Sequence, residues 1–508
     1  MEKQIIDLKR DAYKKLLEWK NNHNNKVLLV EGARQVGKTY LVKKFARENY
    51  KHLIYINLLE ETGEDLLTIY NIIKEERLSG KLDREKTNTL KEMFKRFSNN
   101  FEDNEECIII IDEIQESYKI YNMIRQFARE FKAHFIMTGS YLGRVVMQKE
   151  FWSPMGDVDF LEIKPLSFTE FVNALNLTQA YESLDLYGDG DKKDHDLFYD
   201  KYKDYLEVGG YPEIVCEYLR NHKENINDLF EKLLRVFCEE SSRYFDGDIL
   251  TTRVFEDCIS AIIEILARGK KGIKESSYTE ELQQIITKQY SSNITKENCN
   301  RVLQWFYTSK FVKDCDKLID FEFTNIKKRQ RYFLSDVGMA NYVMKKANLL
   351  ASESSGLLNE TFVYHCLLDK IATVPMFGIY GDGELDFVYR DRENGHVYGI
   401  EVGHIQEITD QYACIFGVIL RRQVSLIEHY ERNLSSRLTQ NMQRIFGLLF
   451  SFMRLKAGKN PGKTITKSLA NGKINFAVYL KGVTQGGIAN KTYTIPIFLF
   501  PRFEFRKI

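Results

Sequence analysis

Proline is scarce in this chain, with 7 residues in 508. That excludes proline-rich linkers and polyproline segments as a way of separating its parts. Cysteine is present but unpaired in sequence. The eight residues at 107, 216, 238, 258, 299, 315, 366 and 414 include no C-x-x-C. The common zinc and dithiol spacings are therefore absent, and reduced thiols are expected. Neither sign of charge dominates: 73 Lys and Arg face 72 Asp and Glu, a net charge of +1. Binding to a polyanion through bulk charge is thereby excluded. Long hydrophobic runs are also lacking. The longest largely apolar stretch, 445–453, falls far short of the ~20 residues a membrane helix needs. The first residues, MEKQIIDLKRDAYKK, are charged from the start. They lack the apolar stretch of a secretory leader, so a cytoplasmic protein with no membrane partner is expected. The hydrophobic fraction of 44% is enough for substantial cores, and this length predicts about three domains.

The most specific stretch is 32–39, GARQVGKT, a complete G-x-x-x-x-G-K-[ST] loop. Gly32 and Gly37 free the backbone to curl, so that N–H groups along Ala33, Arg34, Gln35 and Val36 point at phosphate oxygens. Lys38 then reaches the β- and γ-phosphates, the Thr39 hydroxyl ligands Mg²⁺, and Tyr40 continues the binding segment. Context supports the motif. Residues 26–31 (KVLLVE) read as a buried strand, and 40–50 (YLVKKFARENY) carry apolar residues at helical spacing. A second element belongs with it. Residues 107–115 read CIIIIDEIQ, a strand buried on both faces that delivers two carboxylates at its carboxyl end, where open α/β sheets bind ligands. Asp112 is the expected metal partner, and Glu113 the residue that orients and polarises water, with Lys38 as its catalytic companion on the phosphates. A third apolar strand, 134–137 (HFIM), ends in Thr138, Gly139 and Ser140; Thr138 and Ser140 are candidate sensors of the γ-phosphate. The expected cofactors are ATP and Mg²⁺.

Further along, Ser167 and Glu170 form a capping box at a helix start. Residues 226–325 are mainly helical by period. Within them, 277–287, 295–307 and 311–323 outline helix, helix and β-ribbon, the plan of a winged helix-turn-helix. Residues 268–331 hold 14 Lys and Arg against 8 Asp and Glu, with Lys327, Lys328, Arg329 and Arg331 clustered at one end. A DNA or protein partner is expected there. Strands return at 384–390, 397–402, 474–480 and 493–500. A hairpin joining the first two places Asp386 near Glu401, a carboxylate pair suited to a divalent cation. Glu360 is a candidate third acid from the preceding helix. A lysine two residues after the second acid, needed to stabilise the nucleophile, is missing, because that position is Gly403.

Together these motifs resemble a family of prokaryotic AAA-type ATPases fused to a C-terminal domain of unknown function with a PD-(D/E)xK nuclease-like core. The residues that carry the resemblance are GARQVGKT, IIIIDEIQ, TGS, PLSFTEF, GGYPEIV, RYFLSDVGMA, ELDFV, IEV and KGVTQGGIANKTYTIPIFL, in that order. The resemblance implies an α/β chain with a P-loop ATPase domain (1–225), a helical, winged-helix-like middle (226–325) and a nuclease-like end (326–508). Two departures stand out. Where the family places Gly-Arg before P-L-S-F, this chain has Gly156 and Asp157, leaving Arg144 as the candidate arginine finger. The family also runs from I-E-V directly into a lysine-containing motif. Here that motif resumes at Lys456, so 403–455 reads as an insertion and Lys456 as the displaced lysine. The expected activity is Mg²⁺-dependent ATP hydrolysis coupled to the C-terminal domains, with oligomers allowed. The rival expectations are a slow nucleotide switch in a toxin–antitoxin or defence setting and an ATP-gated nuclease.

Overall fold

A computed structural model describes residues 6–403, apart from 23, 84, 141–155, 188–190, 246–249, 269–276, 291–293, 372 and 381–382, and residues 476–505, apart from 482–486 and 490–491. It divides into two compact units. The first comprises 1–183, 200–314 and 331–349; the second comprises 184–199, 315–330 and 350–508. The helical segment expected at 226–325 therefore lies in the first unit as far as Asp314.

The first unit is built on five strands: β1 (Val27–Glu31), β2 (His52–Asn57), β3 (Cys107–Asp112), β4 (His134–Thr138) and β5 (Val158–Glu162). They lie in the order β2-β3-β4-β1-β5, and every pair is parallel. All six residues of β3 are buried, as its isoleucine run requires of a central parallel strand. On one face the aromatic rings of Phe94, Phe101, Phe127, Phe131 and Phe135 close the core, with Phe127 and Phe135 stacked at 4.7 Å. This strand order decides the site. It sets the carboxyl ends of β3, β4 and β1 side by side, so that residues from three distant stretches meet at one edge.

The helices Ile226–Tyr244, Thr252–Arg268, Tyr278–Gln289 and Lys296–Thr308 follow in the same unit. The last two begin where side-chain caps predict. Ser277 and Glu280 form a reciprocal capping box, and Thr295 accepts from the Asn298 N–H. Of the ribbon expected over 311–323, β6 (Val312–Ile319) lies in that range, while its neighbour β7 (Ile326–Leu334) lies beyond it. The pair does not stand free as a wing. Residues 316–319 of β6 pair in parallel with β8 (Met376–Tyr380), because the strand continues into the second unit's sheet.

That sheet also holds β9 (Gly383–Arg390), β10 (Val397–Val402), β11 (Phe476–Lys481), β12 (Gly487–Ala489) and β13 (Thr492–Pro496), in the order β12-β13-β11-β10-β9-β8-β6-β7. The helix Ala351–Lys370 precedes an antiparallel β8-β9-β10 meander, and β11 returns parallel to β10. The strand expected over 493–500 stops at Pro496, and a 3-10 turn covers Ile497–Arg502. Proline cannot donate to the ladder and ends the pairing there.

Candidate nucleotide site

The phosphate-type loop joins β1 to the helix Lys38–Asn49. Its curl uses backbone that only glycine tolerates well. Gly32 has φ +150, and a Cβ there would meet the Ile163 carbonyl oxygen at 2.1 Å. Gly37, with φ +89, is the left-handed residue from which the helix starts. The helix N-terminus thus opens onto the loop, with its first N–H groups and the positive end of its dipole available to an anion.

Lys38 is buried and folds back across the loop. Its Nζ donates to the carbonyl oxygens of Gly32 at 3.0 Å and Ala33 at 2.8 Å, and to Ser140 Oγ at 2.8 Å. Burial lowers its pKa to about 8, against the pull of the Glu113 and Asp112 charges; the nearby Arg34 guanidinium pushes the same way as burial. Asp112 is the hub of the site. Its Oδ2 accepts from Thr39 Oγ1 at 2.7 Å and from the Tyr55 hydroxyl at 2.8 Å. Its Oδ1 accepts from Thr138 Oγ1 and from the Glu113 N–H at 3.0 Å. The strand order thus gathers Thr39 and Thr138, one half of the expected metal pair and one candidate sensor, on Asp112, and the other candidate sensor, Ser140, on Lys38. Glu113 sits in left-handed backbone at φ +54, which is uncommon for a residue with a side chain. Its carboxylate accepts a hydrogen bond from the Gln115 amide. Gln115 is itself buried, and its Oε1 has no hydrogen-bond partner among the described residues.

Three residues of this neighbourhood escaped the sequence reading. Arg10 clamps the loop from before the first strand. Its guanidinium donates to the Val36 carbonyl oxygen at 3.0 Å, the Lys164 carbonyl oxygen at 2.5 Å and Glu170 Oε1 at 3.2 Å. Glu170 and Ser167 form the expected capping box. Tyr55 adds its hydroxyl to Asp112; burial, then the Asp112 charge, raises its pKa. Glu240, on the helix Ile226–Tyr244, pairs with Arg34 at 2.7 Å. No local pattern marks any of them. Tyr40, by contrast, stays largely exposed and donates to Asp7 at 3.0 Å.

Asp157, which stands where the resemblance implies arginine, is a structural anchor. It accepts from Arg125 at 3.2 Å and from Arg129 at 3.0 Å, two residues of the helix Ile124–Glu130. Arg144 and Lys456 lie outside the described residues, as does nearly all of 403–455. In the second unit, Glu360, Asp386 and Glu401 are all buried. Among the described residues no group of three or more His, Cys, Asp or Glu side chains is placed to hold a metal. The Asp386 carboxylate accepts from the Val402 N–H at 2.7 Å, because the antiparallel register of β9 and β10 brings that backbone donor to it. The basic cluster lies on β7, the end strand of its sheet. Lys327, Lys328 and Arg329 are exposed, and Lys328 pairs with the buried Asp316 at 2.6 Å. Charged side chains on an end strand also block edge-to-edge pairing with other chains. Among the described residues no helix is long and apolar enough to cross a membrane.

Residues 24–172 match the model of an AAA domain family, and 199–350 match a domain of unknown function, DUF8612. The first match spans the phosphate loop, β3 and β4. The second covers the whole of 226–325, the segment expected to form the winged-helix-like middle, and ends at 350, before most of the expected C-terminal domain. No curated protein matches the chain. Among solved structures, the ORC2 protein of Aeropyrum pernix in its ADP form is 13% identical, covering 68% of this chain and 96% of its own, with a TM-score of 0.32. DnaA from Aquifex aeolicus bound to AMPPCP is 14% identical over 59% of this chain and 87% of its own, at 0.28. The RuvB Holliday junction branch migration motor of Thermotoga maritima is 14% identical over 60% and 90%, at 0.25.

Proposed function

We propose that this chain is an ATPase of the AAA type whose nucleotide state is passed to partner- or DNA-binding surfaces beyond the nucleotide domain. The observation that carries the proposal is the convergence of Thr39, Tyr55 and Thr138 on Asp112, with Lys38 held over the loop a few residues away.

The donor set fits ATP and Mg²⁺. Lys38 spends its hydrogen bonds on two carbonyl oxygens and one hydroxyl, neutral acceptors that a phosphate oxygen outcompetes by charge. Thr39 Oγ1 and Asp112 Oδ2, 2.7 Å apart, supply the hard oxygens that Mg²⁺ prefers. Bound there, Mg²⁺ would neutralise charge on the β- and γ-phosphate oxygens. In this reading Lys38 orients the phosphates, Asp112 holds its carboxylate fixed through three hydroxyls, and Ser140 and Thr138 report whether a γ-phosphate is present. Glu113 accepts a proton from the attacking water or polarises it.

A slower switch is the second reading. The Gln115 amide on the Glu113 carboxylate favours it, since a carboxylate so engaged must be freed before it can act on water. The partner side of the proposal rests on Lys327, Lys328 and Arg329, exposed along β7. For the second unit, the order of the helix Ala351–Lys370, the meander β8-β9-β10 and the parallel return at β11 supports a nuclease-like core, and Gly403 in place of a lysine argues against nuclease activity. The deciding experiment is steady-state ATP turnover with and without long duplex DNA, at several protein concentrations. Absence of ATP binding by calorimetry would overturn the proposal.

A further inference from the structure

Three stretches with no assigned role, PLSF, GGYP and SDVG, meet at one buried point of the first unit. Asp336 is the N-cap of the helix Val337–Lys346, and its Oδ1 accepts from the Met339 N–H at 2.8 Å. Capping explains that oxygen only. The other, Oδ2, leaves the helix and accepts from the Gly210 N–H at 2.6 Å. The Gly210 carbonyl in turn accepts from the Leu166 N–H at 2.7 Å, and the Leu166 carbonyl accepts from the Tyr205 hydroxyl at 2.7 Å. The approach is so close that side chains are excluded. A Cβ on Gly209 would lie 2.3 Å from Asp336 Oδ1, one on Gly210 would lie 2.2 Å from the Leu166 carbonyl oxygen, and one on Gly338 would lie 2.6 Å from the Gly209 nitrogen.

The turn fixed in this way leads directly to the phosphate loop. Gly209 and Gly210 are followed by Tyr211 and then Pro212, the first residue of the helix Pro212–Asn221. The Pro212 ring stands 3.5 Å from where a Gly37 Cβ would be, and Arg10 Nη1 is 3.8 Å from the same point. Gly37 is thus held between proline and arginine at the residue that launches the helix carrying Lys38 and Thr39. Tyr211 and Met339, on either side of the lock, also line one cavity with Ala33, Arg34 and Gln35 of the loop.

We infer that Asp336 is a positioning residue for nucleotide binding: through Gly210 and Pro212 it holds the outer wall of the phosphate loop at Gly37. The inference rests on the ATPase reading above. Its physical support is the cost of the arrangement. Burial raises the Asp336 pKa to about 6 although backbone N–H donors at Gly210, Met339 and Gly338 oppose the rise. An asparagine could cap the helix without that desolvation cost. What asparagine cannot do is accept two N–H groups on two separate oxygens, and only the second of these bonds reaches the turn.

The test measures ATP affinity and turnover in Asp336→Asn, Pro212→Ala and the double variant, with thermal unfolding followed alongside. Asp336→Asn turns an amide toward the Gly210 N–H, so ATP affinity should fall about tenfold, the scale of one lost charge-assisted hydrogen bond. Turnover at saturating ATP should stay within about twofold, because Glu113 and Asp112 are untouched. Pro212→Ala should weaken ATP in the same direction. The double variant should be no weaker than the weaker single, since both act along one route. Wild-type affinity in either single variant, or full additivity in the double, overturns the inference. If Asp336→Asn does not fold, Pro212→Ala alone decides, with unchanged affinity counting against. Failure of the unmutated protein to bind ATP is a different result, and it refutes the ATPase reading itself.

Discussion

Thr39 and Asp112, 73 positions apart, share a 2.7 Å hydrogen bond between hydroxyl and carboxylate. The bond exists because β3 and β1 flank β4 in the sheet, so the ends of both strands open on the same edge. The two oxygens proposed to share one cation are thereby set side by side. Glu113, the next residue, is set at the same edge. Glu113→Gln should keep ATP affinity and lower turnover by roughly 100-fold or more, the usual share of a general base. Equal turnover in wild type and variant, measured by phosphate release, would show that another group handles the water.

Lys38 makes a prediction about protons. Its pKa is about 8 in the folded protein, against an ordinary 10.5. The folded value is depressed, so the stability this residue contributes is present above pH 10.5 and is lost as pH falls through 8. Phosphates placed against Lys38 favour its charged form and reverse the effect of burial. ATP binding at pH 8 should therefore take up about half a proton, and at pH 6.5 almost none. Calorimetry in two buffers of different ionisation enthalpy reads this directly. Identical heats at pH 8 would mean that Lys38 does not meet the phosphates. Lys38→Ala should lose ATP binding outright.

The exposed charges of β7 should bind DNA with steep salt dependence. Replacing Lys327, Lys328, Arg329 and Arg331 by Ala should weaken a gel shift uniformly across sequences, because contacts to phosphate carry no sequence information. No shift at low salt with long duplexes would leave these charges as guards of an end strand, and the alanine variant would then self-associate in light scattering.

The second unit should not cut DNA. Gly403 stands where a lysine is required, and among the described residues no group of three or more metal-holding side chains is assembled. Incubation with supercoiled plasmid, Mg²⁺ or Mn²⁺, and ATP should leave it supercoiled. Nicking that vanishes in Asp386→Ala would contradict this.

The sequence alone determined the parts of the site whose chemistry is local. GARQVGKT needs its own glycines and lysine, and CIIIIDEIQ announces both its burial and its terminal acids. The capping box at Ser167 was legible for the same reason: the cap and its partner are three residues apart. Tertiary structure decided everything that depends on strand order or on a distant backbone. Arg10 reaches a carbonyl 26 residues on, Tyr55 a carboxylate 57 residues on, and Asp336 an N–H 126 residues back. Carbonyl and N–H groups are the same in every residue, so no pattern of side chains marks which of them will be met. The register of β9 and β10 likewise brought Asp386 a backbone donor that the letters did not announce. A strand's neighbours, not its letters, decide which backbone group a carboxylate meets.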